Sequence, residues 1–412
     1  MTNQKASALG LFRNRFVQVI LMSGLLLQIG IWVRNYSILL YVTDMTDGSK
    51  VAVSLISVAE FLPIFVFSFI GGTFADRWRP KRTMIWCDFL SAVSIFAVLL
   101  AIHFGSWKAV FFVTFVSSIL SQFSQPSGLK LFKLHVPEEL MQTGMSAYQT
   151  LFAIFMVLGP GLGTVVYGNL GIEWAIGITG VAFLLSAGVL FFLPNDRVSE
   201  QTEGGKAVWE EMKAGFRYVL ASKMLSRLGN CFFFAGLGIG LIQPLAIFLI
   251  TDHLGLPKER LSWLLTVNGI AMLIGGALAI AFASKISPQK LLALGTIVSA
   301  VAIAVCGIST VFTVTLVAQF FSGLVGPFIQ IGINTMVLRN TEEAFVGRVN
   351  GILNPLFMGA MVITMTLGGW LAGLLDLMPV YLLSSVLLLI SALILVPLFR
   401  QKQEGGSIQE IA

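Results

Sequence analysis

The sequence predicts an all-α integral membrane protein whose twelve transmembrane helices form two six-helix bundles related by a parallel repeat. Hydrophobic residues make up 56% of the 412 positions and charged residues only 11%, whereas soluble domains carry about a quarter charged residues. Apolar runs long enough to cross a bilayer as helices follow one another along the whole chain. The second half also repeats features of the first half in the same order.

Hydropathy delimits the predicted membrane spans. The first apolar run is too long for the core of a signal peptide, so we expect it to be retained as the first membrane helix. The predicted spans are 16–41, 51–75, 83–104, 108–128, 142–168, 172–193, 224–251, 258–284, 288–309, 311–336, 346–375 and 377–399.

The distribution of Lys and Arg predicts the orientation of these spans. Of the 26 basic residues, 21 fall on the side of the membrane that holds both termini, and four fall in the opposite loops. Basic residues in short loops mark the cytoplasmic side, because they resist translocation. We therefore expect a multi-pass protein of the cell membrane with cytoplasmic termini. The net charge of +6 follows from this bias, so no nucleic-acid partner is expected.

An internal repeat relates the two halves of the chain. A shift of 208 positions aligns Tyr41-Val-Thr-Asp44 with Leu249-Ile-Thr-Asp252, and Phe74-Ala-Asp-Arg-Trp-Arg-Pro80 with Phe282-Ala-Ser-Lys-Ile-Ser-Pro288. Matches that recur in the same order indicate a duplication. The longest polar interval separates the copies, and its later part has helical periodicity. The predicted domains are an N-terminal bundle (1–193), a cytoplasmic linker (194–223) and a C-terminal bundle (224–412).

A short charged loop lies between the second and third predicted spans. It reads Gly72-Thr-Phe-Ala-Asp-Arg-Trp-Arg-Pro-Lys-Arg82. Its glycine allows helices to approach closely, and its acid can accept hydrogen bonds from the N-terminus of a neighbouring helix. On charge alone, a loop that only fixes the orientation fits equally well.

The spacing Gly-x-x-x-Asp-Arg before a basic cluster resembles the loop between helices 2 and 3 of the major facilitator superfamily. The resemblance implies a substrate site between two bundles, near the middle of the bilayer. It also implies a gating function for the loop, although Arg79 and Pro80 depart from the usual pattern. The gating candidates are Gly72, Asp76, Arg77, Arg79, Lys81, Arg82 and, five residues into the third span, Asp88.

The fifth predicted span contains the segment Gly159-Pro-Gly-Leu-Gly163. Pro160 removes a backbone hydrogen bond and the glycines permit close packing, so we expect the helix to bend here. One interpretation is a tolerated kink, since Gly and Pro are common in membrane helices. The pattern formed by Gly159, Pro160 and Gly163 also resembles the antiporter signature of drug-exporting members of the superfamily.

Arg34 and Glu60 are the charged residues that lie most clearly inside predicted spans. Burial of either residue alone costs at least about 2.5–3.5 kcal/mol on insertion scales, so each needs a partner, a water-filled cavity or a function. Both lie at similar depth and can pair. A packing salt bridge and a role in substrate or proton handling both account for such a pair. Further polar candidates within the spans are Asn35, Gln243, Asn268, Gln330 and Asn334.

Other classes of function lack support in the sequence. The three cysteines and three histidines are scattered, so neither a disulfide framework nor a metal site is expected. The chain contains no nucleotide-binding glycine loop and no catalytic constellation. We therefore expect a monomeric transporter without a cofactor rather than an enzyme.

Several segments together resemble the drug:proton antiporter branch with macrolide-efflux and siderophore (enterobactin) exporters. They are the charged loop, the glycine-proline segment, Phe12-Arg-Asn-Arg-Phe16, Phe123-Ser-Gln-Pro126 and Pro137-Glu-Glu-Leu140. The resemblance implies a secondary active exporter of amphiphilic small molecules that works by proton antiport and alternating access. Drug exporters carry a membrane-embedded arginine where this chain has Ser117. That departure leaves open an alternative, a facilitator of lysophospholipid or other lipid-like substrates without proton coupling.

Overall fold

The computed structural model describes residues 14–136, 138–194, 205–282, 286–342 and 345–399. Within these ranges, side chains are described except at 68–77, 129, 133–134, 138–143, 205–212, 280–281 and 398–399. The described residues form helices and short connections and contain no β-strand. Ten of the described helices are long and apolar enough to cross a membrane. The all-helical membrane fold is therefore confirmed, while the count of twelve spans stays a prediction.

The main helices follow the predicted spans closely. They are α1 (Arg15–Met45), α2 (Lys50–Arg77), α3 (Pro80–His103), α4 (Ala109–His135), α5 (Glu138–Leu190), α6 (Gly205–Ala221), α7 (Lys223–Ile242), α8 (Leu261–Phe282), α9 (Pro288–Ile308), α10 (Phe312–Arg339), α11 (Val346–Leu375) and α12 (Leu377–Leu395).

The fifth and sixth predicted spans lie in one helical run, α5. Gly171, with φ 79° and ψ −178°, is the single residue in this run with non-helical dihedrals. Glycine adopts a positive φ at little steric cost because it has no Cβ. The two predicted spans are therefore separated by a break at one residue rather than by a loop.

The seventh predicted span is less regular than expected. Helix α7 ends at Ile242 and continues as a 3₁₀ turn (Gln243–Leu245), a three-residue α-helix and a π-helix (Leu249–His253). Pro244 explains the change, since it has no N–H for the helical ladder and its ring crowds the preceding turn. The apolar character of this segment predicted its burial but not its backbone geometry.

The chain forms two compact units. The first comprises Met1–Gly204 with Leu256–Thr266, and the second comprises Gly205–Gly255 with Val267–Ala412. Within the first unit, Lys258 forms a salt bridge with Asp44 at the end of α1, and the Tyr167 hydroxyl donates to the same carboxylate at 2.7 Å. These contacts hold the segment around Lys258 to the first unit.

The two units repeat one packing scheme. In the first unit, α1 packs mainly against α5, and α3 packs against α4 and α5. In the second unit, α7 packs against α11 and α12, and α9 packs against α10 and α12. Since α5 contains the fifth and sixth predicted spans, corresponding helices make corresponding contacts. This agreement supports the predicted parallel repeat.

Glycines allow close contacts between helices in each unit. A Cβ on Gly159 would lie 2.3 Å from the Trp32 ring, and one on Gly163 would lie 2.4 Å from Tyr36 Cβ. In the second unit, a Cβ on Gly240 of α7 would lie 2.3 Å from the Met361 carbonyl oxygen of α11. Small residues let membrane helices approach backbone to backbone, where van der Waals packing replaces the hydrophobic effect. The glycine-proline segment of α5 thus works here as a packing surface for α1.

We expect Gly163→Ala to lower the free energy of unfolding by about 1–3 kcal/mol, because the added methyl group overlaps Tyr36. Gly161→Ala is the matched control, since its Cβ would meet nothing within 4 Å. That substitution should be neutral or stabilising by up to about 1 kcal/mol. Chemical unfolding in detergent micelles measures both values. Equal stability of the two variants would contradict the proposed contact.

Candidate functional site

A buried polar group connects α1 with α2. Arg34 is 3% exposed, and its Nε and Nη2 groups donate to Asn35 Oδ1 at 3.0 and 2.8 Å. Asn35 Nδ2 in turn donates to Glu60 Oε1 at 2.7 Å. A carboxamide can accept and donate at once, so one side chain serves both charges. The structure therefore links Arg34 to Glu60 through Asn35, and the described residues include no direct ion pair between them.

The remaining edge of the Arg34 guanidinium is unused. Its Nη1 is buried and has no hydrogen-bond partner within the described part of the chain. A buried charged donor without a partner costs more than about 1–3 kcal/mol, so it marks a place where water or a ligand oxygen would be stabilised. A role in helix packing alone does not account for this unsatisfied hydrogen-bond donor.

Arg34 and Glu60 line a cavity of about 270 Å³ inside the first unit. On α1 the lining residues are Gly24, Leu27, Gln28, Ile31 and Arg34, which follow the three-to-four-residue spacing of one helix face. Ten residues of helix span about 15 Å, so the cavity runs lengthwise along α1. Ile64, Phe152 and Phe183 add apolar surface.

Helix α4 supplies the polar wall of this cavity. The lining residues on α4 are Ser117, Ser118, Leu120, Ser121, Gln122, Ser124 and Gln125. Gln122 Nε2 donates to Ser121 Oγ at 3.2 Å, and Ser121 Oγ donates to the Ser118 carbonyl at 2.8 Å. From the sequence, Ser117 stood out only as a missing arginine, and the residues of this wall were not predicted to form a site. Their clustering within one apolar span was the signal available.

Asp88 lies on α3 and lines the same cavity. It is 3% exposed, and its Oδ2 accepts from Ser186 Oγ at 2.6 Å. Ser186 Oγ is also 2.8 Å from Ser23 Oγ on α1. Asp88 was expected to join the charged-loop network. Instead its partners among the described residues are hydroxyl groups of the helix interior.

The charged loop is described only in part. The backbone of Gly72 to Arg77 belongs to helix α2, so only Trp78 and Arg79 connect α2 with α3, and the predicted loop is shorter than expected. The side chains of Asp76 and Arg77 and the surroundings of Gly72 lie outside the described residues, so their gating role stays a prediction. Arg79 and Arg82 are exposed. Lys81 Nζ donates to the carbonyl oxygens of Phe191 and Leu193, at 3.1 and 2.5 Å. These carbonyls lie just beyond the end of α5, where a cation satisfies acceptors that the helix leaves free.

The polar candidates of the second unit make separate hydrogen bonds among the described residues. Asn268 Nδ2 donates to the backbone and side-chain oxygens of Gln319, at 3.1 and 3.2 Å. Gln330 Nε2 donates to Asn334 Oδ1 at 3.3 Å, one turn apart on α10, and both residues are exposed. Gln243 is exposed at the start of the irregular segment after α7. Their predicted role in substrate binding stays a prediction.

The packing surface on α5 positions the Arg34 group. Gly159, Pro160 and Gly163 are buried, and the two glycines contact Trp32 and Tyr36, which flank Arg34 and Asn35 on α1. The dihedrals of α5 remain helical through Pro160. The predicted bend therefore involves no break in the helix, and its angle stays a prediction.

Comparison with known families decides the class of this protein. The family model described as Major Facilitator Superfamily matches residues 20–229 and again 228–410. The chain belongs to the Major Facilitator Superfamily. It is therefore a multi-pass membrane transporter and not an enzyme.

Three relatives in this superfamily have names that state an export activity. The multidrug efflux pump Tap of Mycolicibacterium fortuitum is 27% identical, covering 87% of this chain and 89% of its own. The macrolide efflux protein A of Streptococcus pyogenes is 24% identical over an alignment that covers 87% of this chain and 89% of that protein. The enterobactin exporter EntS of Shigella flexneri is 24% identical over an alignment that covers 70% of this chain and 68% of that protein.

Solved structures show the same fold. The crystal structure of the nucleoside transporter NupG matches with a TM-score of 0.74, covering 94% of this chain and all of that one. Its sequence is only 14% identical, so the likeness concerns the fold alone.

We expect Asn35→Leu to lower the free energy of unfolding by about 1–3 kcal/mol for each buried polar group that it leaves unsatisfied. The loss should shrink by about 0.5–3 kcal/mol when Glu60→Leu is already present, because the bond to Glu60 is then gone. Unfolding of the four variants of this cycle in detergent measures the coupling. Asn334→Leu, at an exposed amide, provides the control. Strict additivity of Asn35→Leu and Glu60→Leu would contradict the bridging role.

Proposed function

We propose that this transporter exports amphiphilic small molecules, such as macrolide-like drugs or siderophores, in exchange for protons and by alternating access. The observation that carries this proposal is the Arg34–Asn35–Glu60 group on the wall of a cavity that is polar along one side and apolar along the other. The efflux activities in the relatives' names support the direction and the substrate class. We further propose that it acts as a monomer in the cell membrane with cytoplasmic termini.

Glu60 is the proposed proton carrier. With Glu60 ionised, its charge and that of Arg34 cancel, and with Glu60 protonated the group carries one positive charge. A cationic amphiphile that enters the cavity favours the ionised form, so loading substrate releases the proton from the carboxyl group. Uptake of a proton on the opposite side restores the positive charge and expels the substrate. Substrate and proton then alternate, as antiport requires.

Arg34 sets the conditions for this exchange. Its guanidinium stays charged, and Asn35 holds it close to Glu60. Removal of the cation would make the ionised form of Glu60 less favourable. A difference of one pH unit across the membrane supplies about 1.4 kcal/mol per proton, enough for about tenfold accumulation of substrate.

Ser117 supports a second candidate function. It is buried on the cavity wall, at the position where drug exporters of the resembled branch carry an arginine. A facilitator of lysophospholipid or another lipid-like substrate needs no proton-coupling residue there. Transport that ignores an imposed pH gradient would favour this second candidate over antiport.

Transport assays in proteoliposomes separate the two candidates. The full-length protein would be reconstituted with an imposed pH gradient, and four probes would be tested: erythromycin, ethidium, enterobactin and lysophosphatidylcholine. Antiport predicts uphill accumulation of at least one of the first three, with proton movement in the opposite direction. Downhill movement of lysophosphatidylcholine alone, unaffected by the gradient, would overturn antiport.

We expect Glu60→Gln to abolish accumulation driven by the pH gradient, while downhill movement of the same probe remains measurable. Glutamine keeps the size and hydrogen bonds of the side chain but cannot release a proton. Arg34→Ala should instead shift the pH dependence of transport. Glu173→Gln is the matched control, since Glu173 is an exposed carboxylate of the same unit. Uphill accumulation by Glu60→Gln at the wild-type level would remove Glu60 from the coupling mechanism.

The gating role of the charged loop forms part of the proposal. Asp76 carries the negative charge of that loop. Asp76→Asn should therefore strongly reduce the rate of transport in both directions, while membrane insertion and expression stay normal. Rates of probe movement at matched protein density provide the measurement. A wild-type rate in this variant would exclude Asp76 from the gate.

A further inference from the structure

Asp88 is a buried carboxylate that has no role in the proposed exchange of substrate for protons. It faces the same cavity as Glu60 but lies near its other end. Its partner Ser186 contacts Ser23, which precedes Arg34 by eleven residues on α1. At about 1.5 Å per residue, that separation corresponds to about 16 Å along the helix. The cavity thus has one carboxyl group towards each end.

The surroundings of Asp88 suit a group that changes its protonation state. No salt bridge to Asp88 occurs among the described residues, and its partners are the hydroxyls of Ser186 and Ser124. A hydroxyl can donate to an ionised carboxylate or accept from a protonated one. Either atom of the Ser23–Ser186 pair can be the donor, so that pair can reverse its direction. Asp88, Ser186 and Ser23 can therefore stay hydrogen-bonded to one another in both protonation states of Asp88.

The cavity between the two carboxylates can hold water. Its volume of about 270 Å³ is many times the roughly 10–15 Å³ that a cavity needs to hold one water molecule. Polar side chains line the interval on three helices and give such water its hydrogen-bond partners. They are Gln28, Ser91, Ser117, Ser118, Ser121 and Gln122.

A smaller cavity extends the path beyond Asp88. It has a volume of about 30 Å³, room for about one water molecule, and is lined by Ser23, Met84 and Gln125 among others. It shares four lining residues with the larger cavity: Gly24, Leu27, Gln125 and Tyr148. Since Met84 is four residues after Pro80, this cavity leads towards the start of α3.

We propose that Asp88 is a second proton-carrying group, which exchanges protons with Glu60 through water in the cavity of the first unit. The inference rests on the proposed antiport, and it gives the proton a route inside one unit. The other described titratable groups near Asp88 are Cys87, next to it on α3, and Tyr148 on α5, with Arg34 and Glu60 across the cavity. In each transfer a proton leaves one carboxyl group, passes along water, and joins the other carboxylate.

Time-resolved infrared spectroscopy after a pH jump tests the route without a substrate. The absorption of protonated carboxyl groups would be followed in the purified full-length protein, and Glu60→Gln identifies the Glu60 band. In Asp88→Asn, we expect protonation of Glu60 to slow by at least about tenfold, and Asp88→Glu should restore much of the rate. An unchanged rate in Asp88→Asn would overturn the proposal.

Two further variants keep the test decisive if Asp88→Asn fails to fold. Ser186→Ala leaves the carboxylate in place but removes its hydroxyl partner, and it should also slow protonation of Glu60. Thr179→Val is the matched control: Thr179 is a buried hydroxyl of α5, two turns before Ser186, that donates to the carbonyls of Gly30 and Ala175. Equal rates in these two variants would count against the proposal.

Proteoliposomes separate this inference from the proposed function. In Asp88→Asn, accumulation driven by the pH gradient should fall by at least about tenfold more than exchange of labelled for unlabelled erythromycin, which moves no net proton. A structural role for Asp88 would lower both activities together and would contradict the inference. If the wild-type protein ignores the gradient, proton antiport itself is wrong, while the infrared rates still decide whether Asp88 passes protons to Glu60.

Discussion

The positive charge of a guanidinium that is buried among membrane helices must be stabilised by hydrogen bonds or by a negative charge. The arrangement of the polar groups in the first unit depends on how this chain stabilises Arg34. The compensation for Arg34 comes through the amide of Asn35, which orients Glu60 at the same time. An indirect link leaves the two charges separated by a polar, uncharged group. Arg34 can then bind a ligand, and Glu60 can gain or lose a proton, without the two side chains forming a direct ion pair. A direct buried ion pair would resist such changes, since removal of one charge leaves the other uncompensated.

Close packing holds that arrangement in place. The glycines of α5 bring Trp32 and Tyr36 against the α5 backbone, and these residues flank the polar group on α1. Another side of α1 faces the cavity with five residues in about three turns. One helix thus carries a tightly packed side and a polar side. A shift of α1 by a fraction of an ångström at Gly163 would move Arg34 relative to Glu60, which couples the stability of the unit to the geometry of its site.

Much of this architecture was predictable because hydrophobicity and charge act locally. The apolar runs located the helices, and Arg34 and Glu60 stood out as charges within them. The bridging role of Asn35 was not predictable, since sequence indicates depth but not side-chain orientation. The serines of α4 were missed because a hydroxyl in a membrane helix often bonds to its own backbone, as Ser127 does to Phe123. Asp88 was grouped with the basic loop because it is near that loop in the chain, and its hydrogen bond with Ser186 was not predictable from sequence.

The single non-helical residue of α5 has a consequence for biogenesis. Gly171 alone separates two stretches that are each long enough to span a bilayer, and no polar loop lies between them. We expect the two stretches to partition into lipid as one hairpin rather than one after the other. A bulky residue at position 171 would be forced to adopt a positive φ, and we expect its first effect to be impaired insertion into the membrane.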